Sequence, residues 1–442
     1  MSAKGNPTGD AERCDGLTGL CRPALAALLA LAFCACGHGP GAGTVVEFWA
    51  LGREGEHVRA LVPAFEAQHP GVTVRVQQIP WSAAHEKLLT AFVGDALPDV
   101  IQLGNTWIPE FTALGALTPL EPWLAKTPAL DVHDFFPGVL DAARVEGATR
   151  ALPWYADTRL LFYRRDWLET AGAHEPPARW SDWVALAERV QAQRPAGSHA
   201  LLLPLGEWEV PVILALQHGA ELLREGESRG NFSSPEFRAA FTFYLSLFER
   251  GLAPQTGVAQ LANLHQDFAA GAFGALVTGP WNLREFAARL PVALAESWAT
   301  APLPAFEGGG PGVSLAGGAS LALVAKSKHK EAAWAWIAFL AEPVQQAAFH
   351  RLSGDLPSRR SAWDDPALAG PRVAAFRAQL AHVRPTPKLP EWERIASRIA
   401  WHAEAAVRER RDLDAVLVAL DADADQVLEK RRSLLARRER EE

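Results

Sequence analysis

Chemistry at a protein surface needs nucleophiles, metal ligands, paired acids or flat aromatic faces, and this chain is unevenly supplied with them. Its four cysteines are Cys14, Cys21, Cys34 and Cys36, and no other occurs in the 442 residues. The body of the protein therefore has no disulfide framework, Cys-ligated metal or thiol nucleophile. The 13 histidines are scattered, and no pair has metal-ligand spacing on a helix face. The patterns HExxH, GxxxxGK[ST], GxSxG and GxGxxG are absent. No cofactor, metal or catalytic residue is expected. Tryptophan is abundant instead, with 16 against three tyrosines and one methionine. An indole offers a flat apolar face and one N–H donor, which suits the C–H face of a pyranose ring. Sugar hydroxyls then call for planar donors and acceptors such as Asp, Glu, Asn and Arg. Trp183, Trp334 and Trp336 fall on helical stripes and read as core. Trp49, Trp107, Trp154, Trp208, Trp281 and Trp392 sit beside loops or polar neighbours and read as candidates for ligand contact.

The elements that must position these groups alternate. Residues 44–50 (TVVEFWA) read as a buried strand, and Val72, Val74 and Val76 as a second. Between them Val58, Leu61, Val62 and Phe65 share a helical face that Pro63 should kink. A helix through Leu88, Leu89 and Phe92 closes at Gly94 before a third strand at 99–103. This order predicts an α/β fold with a largely parallel sheet. Further on, Ser181 is the expected cap of a helix carrying Trp183, Ala187 and Val190. Ser234-Pro235 opens another that leaves at Gly251. Residues 320–325 read as a strand, 330–340 as an apolar helix, the chain after Glu393 as helical, and the glycine run 308–312 as a turn. The length exceeds what one hydrophobic core sustains, so two domains are expected. A net charge of -8 argues against nucleic acid.

The apolar run 23–33 follows Arg22 and is too short to span a bilayer. It ends in Phe33-Cys34-Ala35-Cys36-Gly37, which resembles a bacterial lipoprotein cleavage site, with Cys36 the residue that receives the lipid. Residues 1–36 are thus read as a signal peptide and 37–43 as a flexible linker.

Five segments in order resemble the extracellular solute-binding proteins of ABC importers, in particular the carbohydrate-binding, maltose-binding-protein-like branch. They are VEFWALGREGEHVRALVPAFEAQHPGVTV, GDALPDVIQLGNTW, ALPWYADTRLLFYRRDWLETAG, FGALVTGPWN and SLAGGASLALVAKSKHKEAAWAWIAFL, and a later GDLPSRRSAW also fits. The resemblance implies a class II periplasmic-binding-protein fold. Its first α/β lobe would take 44–156 and about 298–342; the second would take 157–297 and about 343–442. A ligand between the lobes closes them about hinge crossings such as 155–158, and a membrane permease with its ATPase reads the closed form. The ligand set it implies is Trp49, Arg53, Glu54, Asn105, Trp107, Tyr155, Asp157, Glu207, Trp208, Trp281, Asn282, Gly317, Gly318 and Trp392.

The expected ligand is a di- or oligosaccharide and the expected partners are ABC permease subunits. The protein is expected to be a monomer held at the periplasmic or cell-surface side of a membrane by its lipid. A sugar phosphate or polyol phosphate is the alternative ligand, which extra cleft arginines such as Arg159 or Arg359 would favour. Carboxylates paired only by the fold would instead make a secreted glycoside hydrolase. A chemosensory receptor subunit would use the same binding chemistry for a different output.

Overall fold

The computed structural model describes residues 43–257, 260–261, 263–307 and 311–441. Cys36, the signal segment and most of the 308–312 run lie outside these residues. Strand β1 (Thr44–Leu51) pairs in parallel with β2 (Val72–Ile79), from Thr44↔Val72 to Leu51↔Ile79. The helix expected between them is broken into α1 (Glu54–His57), a 3₁₀ turn (Val58–Leu61) and α2 (Val62–Gln68). Pro63 has no N–H to give the preceding turn, so it sits in the first turn of a restarted helix. Val58, Leu61 and Phe65 keep their common buried face across the break, while Val62 is only partly buried.

Helix α3 (Trp81–Val93) buries Ala84, Leu88 and Ala91 and leads to β3 (Val100–Gly104). Strands β4 (Leu152–Asp157) and β5 (Leu160–Arg164) are separated only by Thr158 and Arg159. Helix α4 (Trp180–Gln191) begins one residue before the expected Ser181 cap. The Trp180 N–H donates to the Ala305 carbonyl beside an Arg179–Ala305 bridge, and the Ser181 hydroxyl donates to Glu307 at 2.9 Å. A tertiary contact thus sets a boundary that local capping would have placed elsewhere. Helix α5 spans Glu209–Gln217. Helix α6 (Pro235–Glu249) is capped as expected, the Ser234 hydroxyl accepting the Phe237 N–H. There follow β6 (Ala275–Thr278), α7 (Trp281–Arg289), β7 (Trp298–Ala301), β8 (Gly317–Leu323), α8 (Lys330–Leu340), α9 (Pro343–Ser353) and β9 (Leu356–Pro357). Helices α10 (Trp392–Glu409), α11 (Leu413–Val427) and α12 (Glu429–Glu441) end the chain.

Two principal sheets result, one ordered β9-β4-β8-β3-β1-β2 and a smaller one ordered β6-β5-β7. The larger is mixed and not largely parallel. Its β1–β2 and β1–β3 pairs are parallel, but β8 runs antiparallel to both β3 and β4. A strand that returns from so far along the chain leaves no local sign of its direction. Strand β7 belongs to the smaller sheet and β9 to the larger.

Each sheet packs on its own aromatic core. Phe48, Phe65, Trp154, Trp336 and Phe339 fill the layer behind the larger sheet, with Trp154 stacked on Phe349 at 4.4 Å between centroids. Trp334 and Trp336 are core as expected, whereas Trp154, read as a loop-edge residue, is interior. A second core joins Trp180, Trp183, Phe237, Tyr244 and Leu417 to Trp392, Ile395 and Ile399 of α10. No helix among the described residues is long and apolar enough to cross a membrane.

Candidate ligand cleft

The carboxyl ends of β1, β3 and β4 open into a cavity of about 920 Å³, within the range of small-molecule sites. The turns after β1 and β3 form one side. The starts of α5, α7 and α10, the approach to β8 and the exit of α9 form the others.

Its floor is a chain of hydrogen bonds. The buried Gln102 accepts the Leu51 N–H at 2.7 Å, and its amide donates to the Tyr155 hydroxyl at 3.3 Å. Tyr155 donates in turn to Glu54 Oε1 at 2.7 Å, which also accepts the Trp81 indole N–H at 3.1 Å. Burial, reinforced by the Glu54 charge, holds the Tyr155 phenol well above its ordinary range, so it stays a donor. Asn105 donates to the Gly317 carbonyl at 3.1 Å and accepts from Ser320 at 2.8 Å, tying β3 to β8. Gly318 lies there at φ 113°, and a Cβ on it would stand 2.3 Å from the Tyr155 carbonyl, so only glycine lets β8 meet β4.

Aromatic faces line the walls. Trp81 and Trp107 meet edge-to-face at 5.6 Å, and Trp281 at the start of α7 is 44% exposed. A Cβ on Gly279 would fall 2.0 Å from the Trp281 ring, so the bare glycine is what allows the indole to lie there. The Arg159 guanidinium sits 4.4 Å from the Trp281 centroid, donates to Glu209 at 2.9 Å and reaches Asp157 at 3.5 Å. That is a cation–π contact and two ion pairs on one planar group. Across the mouth Arg53 pairs with Glu285 of α7 at 3.3 Å, and Arg284 donates to the Leu352 carbonyl.

Burial pushes the Asp157 carboxyl up against the opposing pull of Arg159. Burial, then Glu54, raises Asp355 to about 7, and burial raises Glu393 despite a hydrogen bond from Thr106. His57 is lowered by burial and by Arg53.

Of the expected ligand set, Arg53, Glu54, Asn105, Trp107, Tyr155, Asp157, Trp208, Trp281, Gly317 and Gly318 line this cavity. Four do not. Trp49 lies partly buried on the α3 side of β1 under the Lys87 ammonium. Glu207 is half-buried beside the cavity, its carboxyl raised to about 7 by burial and Glu209. Asn282 is buried and donates to Thr278 at 2.8 Å. Trp392 is fully buried and meets Trp208 edge-on at 5.5 Å, so it backs a wall residue from the core. Arg359 pairs with Asp134 away from the cavity. Arg159, named for the phosphate alternative, lines the cavity, and His57, Trp81, Glu209, Arg284, Asp355 and Glu393 line it without having been read from sequence. Trp81, one residue past Pro80 at the end of β2, gave the same strand-end signal as Trp107. The others gave none, because helix-start carboxylates are ordinary solvent-facing residues until a fold turns them inward. No group of three or more His, Cys, Asp or Glu among the described residues could hold a metal ion.

Two α/β sheets with a polar, aromatic-walled cleft at their strand ends define a binding protein. The chain matches the family of bacterial extracellular solute-binding proteins over residues 49–347 and belongs to it. The sugar-binding protein MalE of the phytopathogen Xanthomonas citri is 44% identical, covers 89% of this chain and 99% of its own, and superposes with a TM-score of 0.86. The fold is thus the MalE-like periplasmic-binding-protein arrangement. A binding protein of Brucella abortus (strain 2308) is 29% identical over 401 residues, covering 88% of this chain and 93% of that one. A galactooligosaccharide-binding protein of Bacillus subtilis (strain 168) is 24% identical, covering 84% and 88%.

Proposed function

We propose that this chain captures a di- or oligosaccharide outside the cytoplasm and delivers it to the permease of an ABC importer. The observation that carries this reading is the wall of the cleft. Indole faces from Trp81, Trp107, Trp208 and Trp281 surround hydroxyl-seeking Asp157, Glu209 and Arg159 in about 920 Å³. The 44% identical relative is named for sugar binding and the Bacillus subtilis relative for a galactooligosaccharide, which supports the same class. Isothermal titration against a panel of neutral di- and trisaccharides should give saturable binding. Silence across the panel, with binding of an unrelated solute, would overturn the reading.

In this reading the larger-sheet elements form one lobe and the smaller-sheet elements the other. Sheet membership supports crossings at Thr158–Arg159, between Ala301 and Gly317, and beyond Pro357. The second and third fall later than the expected 298 and 343. The protein binds its sugar without cleaving it, so the sugar recovered after long incubation should be unchanged on chromatography. A lipid on Cys36 would hold the protein at the outer side of the membrane. Cys36→Ser should move it from the detergent fraction to the soluble fraction.

A further inference from the structure

The cleft is richer in carboxyl groups than in cations, and its cations are engaged. Arg53 pairs with Glu285, Arg159 with Asp157 and Glu209, and the Arg284 guanidinium with the Leu352 carbonyl. His57 is held below its ordinary value and adds no charge near neutral pH. Asp355 and Glu393 have no arginine or lysine within ion-pair distance among the described residues. Their side-chain partners are the hydroxyls of Ser353 and Thr106. Both are half-buried and line the cavity, Asp355 at the exit of α9 and Glu393 at the start of α10.

We propose that Asp355 and Glu393 are specificity determinants that make the cleft accept uncharged saccharides and refuse phosphorylated or otherwise anionic ones. This rests on the carbohydrate reading above. An ionised carboxylate can only accept hydrogen bonds, which a sugar hydroxyl supplies and a phosphate dianion cannot. In a partly dehydrated cleft it also repels an anion far more strongly than it would in water. To give a phosphate the full guanidinium of Arg159, the site would need to loosen it from Asp157 and Glu209.

The charges that face these groups do not reverse the sign. Asp355 meets Glu54 from α1, Asp157 from β4 and Arg284 from α7. Glu393 meets His85 from α3, Glu209 from α5 and Glu110. His85 is itself paired with Glu110 at 2.6 Å. The raised carboxyl of Asp355, at about 7, marks how little water and how much negative charge surround it.

The test is calorimetric titration at about pH 8, above the Asp355 value of about 7, with three matched pairs. These are maltose and maltose 1-phosphate, cellobiose and cellobiose 6-phosphate, and sucrose and sucrose 6-phosphate. For any pair whose neutral member binds, the phosphorylated member should bind at least about tenfold more weakly to the unaltered protein. Asp355→Asn and Glu393→Gln should each narrow that gap, and the double variant should narrow it most. Thermal melts and far-ultraviolet circular dichroism report whether the variants remain folded. Equal affinity for both members of a pair, or variants that weaken both members by the same factor, would overturn the proposal. Binding of no neutral member would instead remove the carbohydrate reading and this inference with it.

Discussion

A carboxyl group that faces a ligand cleft must stay partly dehydrated before the ligand arrives, and Asp355 shows the cost. Its folded value of about 7 lies above the ordinary 3.8. The folded state therefore holds the proton more tightly. The resulting stability is fully present below about pH 4 and is lost as pH rises through about 7. Glu207, raised from 4.5 to about 7, acts in the same window. Ligand-free protein should thus lose stability between about pH 4 and 7. Asp355→Asn should reduce that loss, raising Tm near pH 8 by about 2–4 °C per kcal/mol relieved and leaving it unchanged near pH 4. Melts across pH with and without the substitution check this. Trp281 is the complementary case: it holds 44% of its surface open, and Trp281→Ala should weaken sugar binding by about thirtyfold, near 2 kcal/mol, without lowering Tm.

At the scale of elements, the join between β4 and β8 is the most demanding. Gly318 combines a φ of 113° with a Cβ position 2.3 Å from a backbone carbonyl that has no room to retreat. Gly318→Ala should destabilise by about 1–3 kcal/mol and disturb Tyr155 and Asp157, which flank its strand partner Ala156. Ser234→Ala provides the contrast, losing the cap of α6 at about 1 kcal/mol while leaving sugar affinity intact. Urea unfolding with parallel titrations separates the two outcomes. Ser181 and Ser234 look alike in sequence as helix starts. Only Ser234 caps, because the other helix already starts at Trp180 and the Trp183 N–H that a Ser181 cap would take bonds the Arg179 carbonyl.

For the whole molecule, the two sheets are joined first by the dipeptide Thr158-Arg159, and Arg159 also grips the cleft. Across the mouth, the Arg53–Glu285 pair is 69% and 28% exposed, which limits it to about 1 kcal/mol or less. Such a contact biases closure without locking it. Sugar binding should therefore reduce the radius of gyration in small-angle scattering, and Arg53→Ala should raise the dissociation rate by no more than about fivefold. An unchanged radius at saturating sugar would contradict closure about these crossings.

Read alone, the sequence determined what local chemistry controls. The cysteine distribution, missing catalytic motifs, strand-and-helix alternation and helix 330–340 were legible, as were Trp107 and Trp281 beside a strand end and a turn, whereas Tyr155 and Asp157 came only from the family resemblance. Each depends on residues close in the chain. The direction of β8, the burial of Trp154 and Trp392, and the inward turn of Asp355, Glu209 and Glu393 depended on partners hundreds of residues away. No short-range pattern separates an indole bound for the core from one bound for a cleft wall. Both are flat, apolar and flanked by polar residues, and only the packing of α10 behind Trp208 decides which one sees solvent.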